Sequence, residues 1–384
     1  MSTARRGRIL VLGMLTRHPV PGMVWLTMQY VEGLRRLGYD SYYVEPHAGD
    51  PRTESATTAA WVEQAMRRFG FEDRWAVDAR NGDGRCYGRT ESELAELYRT
   101  ADVILNLHGS AKATPELCQT GRLVYVGTDP MVMEVALAEG DPAAGDYLSR
   151  HAALFTWGEC YGTPTCLVPP DDTFTFLPTR QPVIIDHWLP HRGPDSGTFT
   201  TIGNWRQGHR DYDFLGERFT WSKHHEFDKV LALPRRCGEH FELALASYDD
   251  ADRALLESNG WRVRPAAELA TVDSYRDYVT HSLAEFTIAK EQYARLRSGW
   301  FSDRSATYLA SGRPVVTSET GFSDHLPTGE GLFAFETTDD ACAGIAAVVR
   351  DYERHSRTAR AIAEEYFDAS RVLPQLLERV GVDG

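Results

Sequence analysis

What most restricts the fold of this chain is a rhythm: strand-length apolar runs, each ending in small or polar residues, alternate with segments of helical spacing. Residues 8–15 form the first run. A loop containing Pro and Gly, residues 16–22, leads to residues 24–37, whose apolar side chains recur on one helix face. Gly38 stops that helix, and residues 40–45 read as a second strand. This β-loop-α-β opening belongs to a doubly wound parallel sheet, which binds ligands outside the carboxyl ends of its strands.

The rhythm continues along the chain. Residues 101–107 end at His108 and Gly109, residues 122–126 at Gly127, Thr128 and Asp129, and residues 152–157 at Gly158 and Glu159. Between 167 and 197 Pro and Asp become frequent and helical spacing vanishes, which marks a boundary between domains. The second half starts again with a strand, residues 198–202, followed by Gly203, Asn204 and Trp205. Further strands are expected within 240–247, 282–289 and 331–335, and helices over 339–354 and 356–380. At 384 residues, two α/β domains are expected.

Composition narrows the function. The net charge of −14 argues against nucleic acid, whose phosphates need a clustered basic face. No apolar stretch approaches the ~18 residues that span a bilayer. The basic residues before the run at 9–15 are followed by no cleavage site, so a cytoplasmic location is expected. Six cysteines form no CxxC pair or zinc spacing, and thirteen histidines form no HExxH. Scattered reduced thiols and no catalytic metal are the expectation.

Residues 298–322 carry the most specific signal. Ser302 reads as an N-cap whose hydroxyl accepts an amide N–H of the next helix. Gly312 and Pro314 end that helix, Val315 and Val316 begin a buried strand, and Thr320, Gly321 and Phe322 form a turn at its carboxyl end. A helix N-terminus and a glycine turn at one sheet edge suit a phosphate. Ser302, Asp303, Arg304 and Ser305 would offer amide groups and the helix dipole, and Arg304, Lys223 and Lys290 are candidate pyrophosphate cations. Two such domains could serve a dehydrogenase, a periplasmic binding protein or a sugar transferase. The first loop lacks GxGxxG, which removes the dinucleotide reading, and the export signal needed for the second is missing.

Residues 282–380 resemble the C-terminal lobe of GT-B glycosyltransferases, through GRPVV at 312–316, Gly321 with Phe322, and the GEGL turn at 329–332. Most of the chain is similar to bacterial nucleotide-sugar-dependent enzymes of the group 1 type. The resemblance implies two Rossmann-like domains facing across a cleft, with an acceptor side at 1–175, a nucleotide-sugar side at 176–360, and a helix at 361–384 crossing back. It implies transfer of a sugar from a UDP- or TDP-sugar co-substrate to a natural product or glycan, with no further cofactor and no metal.

In similar retaining enzymes a histidine at the position of His108 touches the donor sugar, whereas His18 stands where an inverting enzyme places a base. Asn204 falls near the donor phosphates, and Thr320, Gly321 and Phe322 would meet sugar hydroxyls. The Glu-x7-Glu of many retaining members is absent: Gly299 and Thr307 stand there, leaving Glu319, Asp303 and Asp324 as candidate substitutes. Retention and inversion both stay open. A non-catalytic two-lobed nucleotide- or sugar-binding protein is the alternative.

Overall fold

The structure, a computed structural model, describes residues 6–46, 54–189, 197–208 and 210–382. The first lobe is built on β1 (Arg6–Leu12), β2 (Tyr39–Glu45), β3 (Trp75–Ala79), β4 (Arg85–Tyr87), β5 (Val103–Leu107), β6 (Leu123–Gly127), β7 (Ala153–Thr156) and β8 (Phe176–Pro178). They form one sheet in the order β4-β3-β2-β1-β5-β6-β7-β8, parallel except for β4. Ile9 to Leu12 of β1 are fully buried, as a central strand covered on both faces requires.

The second lobe comprises β9 (Thr198–Asn204), a hairpin of β10 (Tyr212–Phe214) and β11 (Glu217–Phe219), then β12 (His240–Ala246), β13 (Arg262–Pro265), β14 (Ala284–Thr287), β15 (Val315–Ser318) and β16 (Leu332–Phe335). Its parallel sheet runs β13-β12-β9-β14-β15-β16. In both lobes the first strand is central and the chain builds outward in one direction, then the other. Each lobe therefore has a switch point, β1/β5 in one and β9/β14 in the other, where the loops part to leave a crevice.

Three details depart from the sequence reading. First, β8 lies in the stretch read as linker: Phe176 packs edge-on against Tyr125 and Tyr161, so the first sheet runs past 175. Second, the helical run at 339–354 breaks at Asp351 into Thr338–Arg350 and Tyr352–Tyr366. Third, the last helix, Ala369–Glu378, begins only after a break near Phe367 and Asp368. There Val183 donates its N–H to the Phe367 carbonyl at 2.7 Å, and Ala369 donates to the Val183 carbonyl at 2.9 Å. The helix then lies on the first lobe's helix Pro21–Arg36. Gly33 permits the approach, since a Cβ there would stand 2.6 Å from Leu373.

The lobes also meet directly. Trp25 donates its indole N–H to the Val272 carbonyl and Trp300 donates to the Thr128 carbonyl, both at 3.0 Å. The β10-β11 hairpin leaves the second lobe and buries Phe214 and Phe219 in one apolar cluster with Met131, Val135 and Cys166 of the first. Among the described residues no helix is long and apolar enough to cross a membrane.

Candidate active site in the interlobe cleft

The first lobe's contribution starts below the loop after β1. Glu45, buried at the end of β2, accepts the Thr16 N–H at 3.0 Å and the Tyr43 hydroxyl at 2.7 Å, while Tyr43 accepts the Leu15 N–H at 3.0 Å. Burial pushes the Glu45 carboxyl up, against the bonds from Thr16 and Tyr43. This knot fixes the loop that carries His18 to the cleft. His18 is pushed below its ordinary value by burial and the positive Arg17 and Arg210, with Asp129 opposing.

The loop after β5 is held as firmly. Asn106 accepts the Ala111 N–H at 3.0 Å, and the Tyr147 hydroxyl meets the carbonyls of Gly109 and Ala111 at 3.0 and 2.9 Å. His108 is thereby kept at φ 62°, a left-handed conformation that a residue with a side chain adopts at a cost. Its Nδ1 lies 2.5 Å from the Thr128 hydroxyl, and its Nε2 is buried without a partner. Burial pushes the imidazole down to about 4, so it is neutral at physiological pH.

The second lobe answers with cations. Lys290, at the switch point after β14, sits with Nζ 3.2 Å from the Trp221 ring centroid and 3.9 Å from Asp129 Oδ1. Arg210, at the base of the hairpin, stacks over the same indole at 4.9 Å and approaches Asp129 Oδ2 at 3.4 Å. Tyr293 donates its hydroxyl to Asp129 at 2.6 Å. Burial lowers Lys290 to about 8, with Asp129 opposing and Arg210 adding to the shift. Burial would raise Asp129, but Lys290, Tyr293, Arg210 and His108 together hold it below the usual carboxylate range.

Lys223 completes the group. It is half-buried, and its side chain makes no ion pair or hydrogen bond among the described residues. Burial, then the fields of Arg304 and Lys290, push its ammonium well below the ordinary lysine value. An unpaired, partly desolvated cation beside two others is costly in an empty site and favourable once an anion enters.

The structure thus brings His18, His108, Lys223 and Lys290 to one cleft, and it revises other expectations. Arg304 is a structural anchor: its Nε donates to Glu285 at 2.6 Å, and its two other nitrogens bond the Ile202 carbonyl at 2.6 Å and the Thr287 hydroxyl at 2.8 Å. Ser302 stands at the N-cap of the helix Asp303–Ala310, but its hydroxyl makes no cap bond. Asp303 begins that helix beside Lys223, its carboxyl raised by burial against the pull of Arg304, and the Ser305 hydroxyl is buried without a partner.

In the Thr320–Gly321–Phe322 turn the Thr320 and Gly321 N–H groups both donate to Glu319. Thr320 and Phe322 are each 1% exposed, the Thr320 hydroxyl donates to the Trp300 carbonyl, and the Gly321 carbonyl accepts from the Cys160 thiol of the first lobe. Glu319 accepts the Thr320 N–H at 2.8 Å and lines a cavity of about 480 Å³ at the carboxyl ends of β15 and β16. Asn204 is exposed at the end of β9, accepting from the Ser247 hydroxyl at 3.4 Å, and Trp205 is a core residue. Sequence reasoning did not select Asp129, Arg210, Trp221 or Tyr293. Asp129 alone carried a signal, as the polar end of an apolar run.

No protein-family model matches this chain, and no curated protein sequence does. Solved structures match over nearly its whole length. An α-glucosyltransferase in complex with UDP superposes with a TM-score of 0.59 at 10% identity, covering 98% of this chain and 100% of its own. Such an enzyme also appears with UDP and a 13-mer DNA containing a HMU base. The Anabaena protein Alr3699/HepE with UDP gives 0.58 at 13% identity, covering 97% and 99%. AviGT4, a glycosyltransferase involved in avilamycin A biosynthesis, gives 0.52 at 12%, covering 98% and 97%. Two Rossmann-like lobes, a cleft at their facing switch points and a terminal helix that returns to the first lobe establish that this chain has the GT-B fold.

Proposed function

We propose that the protein is a glycosyltransferase that moves a sugar from a nucleoside diphosphate sugar, of the UDP or TDP type, to a small-molecule or glycan acceptor. The observation that carries this reading is the convergence of Lys223 and Lys290 at the second lobe's switch point, with Lys223 unpaired. A diphosphate leaving group gains negative charge as the glycosidic bond breaks, and fixed cations in a partly dry cleft favour that step. Lys290 would leave Asp129 for the phosphate, and Asp129 is already held by Tyr293 and Arg210. The neutral His108 has its Nε2 free for a hydroxyl of the transferred sugar.

His18 lies on the acceptor side. We assign retention of configuration, in which the departing phosphate takes the acceptor proton and His18 is not required as a base. The charge of −14 favours a natural product or glycan over nucleic acid as acceptor. Protein cations can neutralise a leaving diphosphate without a divalent ion, which supports metal-independent catalysis, and we assign the protein to the cytoplasm.

The test is one assay: UDP- and TDP-sugars with an acceptor panel, in EDTA, with the anomeric configuration of the product read out. Turnover should persist in the chelator, the product should keep the donor's configuration, and His18→Ala should retain most of the rate. Tight donor binding without turnover across the panel would favour a non-catalytic binding protein. Turnover lost in EDTA and restored by Mg²⁺ would overturn metal independence.

A further inference from the structure

Two of the six cysteines meet. Cys237 ends the helix Leu233–Cys237, and Cys342 lies early in the helix Thr338–Arg350. Their sulfurs stand 2.8 Å apart, closer than unbonded sulfurs ordinarily approach, whereas a formed bond spans ~2.05 Å. Nothing in the sequence signals this, because the positions are distant in the chain and lie in no CxxC motif.

The contact is held from both sides. Arg236 pairs with Asp339, each next to or near one of the cysteines, and the Thr338 hydroxyl donates to the Lys229 carbonyl at 3.3 Å. Gly238, in the left-handed conformation at φ 73°, turns the chain sharply behind Cys237. Beneath the pair, Leu233, Ala341 and Ile345 belong to the second lobe's buried core. Both cysteines are half-buried and so within reach of a small oxidant.

The other thiols are placed differently. Cys160 and Cys166 are buried, and burial pushes them up to about 12 and about 11. Cys160 bonds the Gly321 carbonyl, and Cys166 lies against the Met131 sulfur. Cys86 and Cys118 touch no second thiol among the described residues.

We propose that Cys237 and Cys342 form a redox-active pair that closes to a disulfide when the protein meets a peroxide. Burial and the neighbouring Cys342 sulfur push the Cys237 thiol up, and the 2.8 Å contact lets either sulfur resolve an oxidised partner. The thiolate of one cysteine attacks one peroxide oxygen, the O–O bond breaks, and the product is a sulfenic acid with one water after proton uptake. The sulfur of the other cysteine then attacks that sulfenic sulfur, loses its proton and expels hydroxide, which becomes the second water. Two thiols are oxidised by two electrons, and one peroxide is reduced to two waters.

The link would fasten the segment running from Lys223 through Cys237 to the helix Thr338–Arg350. It would close a long loop, which restrains the unfolded chain. This proposal stands independently of the assigned activity.

Reduced full-length protein is treated with one equivalent of hydrogen peroxide, quenched by alkylation, and mapped as peptides without reductant. The expected result is a cross-linked peptide joining Cys237 and Cys342, a loss of two hydrogens from the intact mass, and reversal by dithiothreitol. The melting midpoint should rise by roughly 5 °C on oxidation. Cys342→Ser and Cys237→Ser should each melt near the reduced wild type and show no peroxide-dependent shift. Alkylation of both thiols after peroxide, or added oxygen at either cysteine without a link between them, would overturn the proposal.

Discussion

Lys290→Ala is expected to lower sugar transfer by roughly 10²–10³-fold, the loss typical when a group aimed at developing negative charge is removed. The ammonium does not serve stability by a strong pair: its Asp129 contact is 3.9 Å, and it rests over the Trp221 ring. The variant should therefore fold normally and fail in turnover. A pH series gives the second half of the prediction. In the unliganded protein Lys290 gives up its proton near pH 8, because burial disfavours the charged form. Below that pH the cation is present and the donor binds. As pH rises through about 8 the cation is lost and donor affinity falls. The decline near pH 8 should be smaller in Lys290→Ala than in wild type, because Lys223 is then the lysine left to titrate beside the phosphate, read from KM and kcat across pH 6.5 to about 9. Equal turnover in the two proteins would remove Lys290 from the site.

Arg304→Ala should act on stability. It would strand Glu285, which is 0% exposed and whose second oxygen has no partner. Removing one member of a buried pair costs about 3–5 kcal/mol. The same substitution frees the Ile202 carbonyl and the Thr287 hydroxyl, removing the side-chain link from the helix Asp303–Ala310 to β9 and β14. Denaturant midpoints measure the loss. Replacing both partners by apolar residues, Arg304→Met with Glu285→Leu, should recover much of it, because no charge is then left buried. A single variant as stable as wild type but unable to bind a nucleotide would return Arg304 to the phosphate site.

These two residues show what sequence can and cannot convey. Lys290 was legible because it follows an apolar run, and a doubly wound sheet opens its loops at that end. Lys223 was legible only as one surface cation among many; its isolation comes from the way the lobes fold around it. Arg304 has the same chemistry, but its partner Glu285 lies on the middle of a neighbouring strand. A glycine turn reads alike whether open or packed, and the Thr320 to Phe322 turn is filled by Cys160 from the other lobe. Arg210 and Trp221 flank strands of only three residues, too short to show alternation, and the acid facing Arg210 lies 81 residues away. The two-lobed sheet order was legible because each core strand is a near-continuous apolar run, as in β1 and β5.

A diphosphate site between the lobes is tested by titration calorimetry of UDP with wild-type protein and Lys223→Ala. The Lys223 side chain makes no hydrogen bond or ion pair in the described structure, so its removal breaks none and the change in binding reports on the ligand. Wild type is expected to bind UDP, and Lys223→Ala to bind it about 10–100-fold more weakly, in line with a charge-assisted hydrogen bond to a phosphate. The loss should shrink with uridine, which lacks the diphosphate. UDP affinity unchanged in Lys223→Ala, or uridine binding weakened as much as UDP, would contradict a diphosphate site between the lobes.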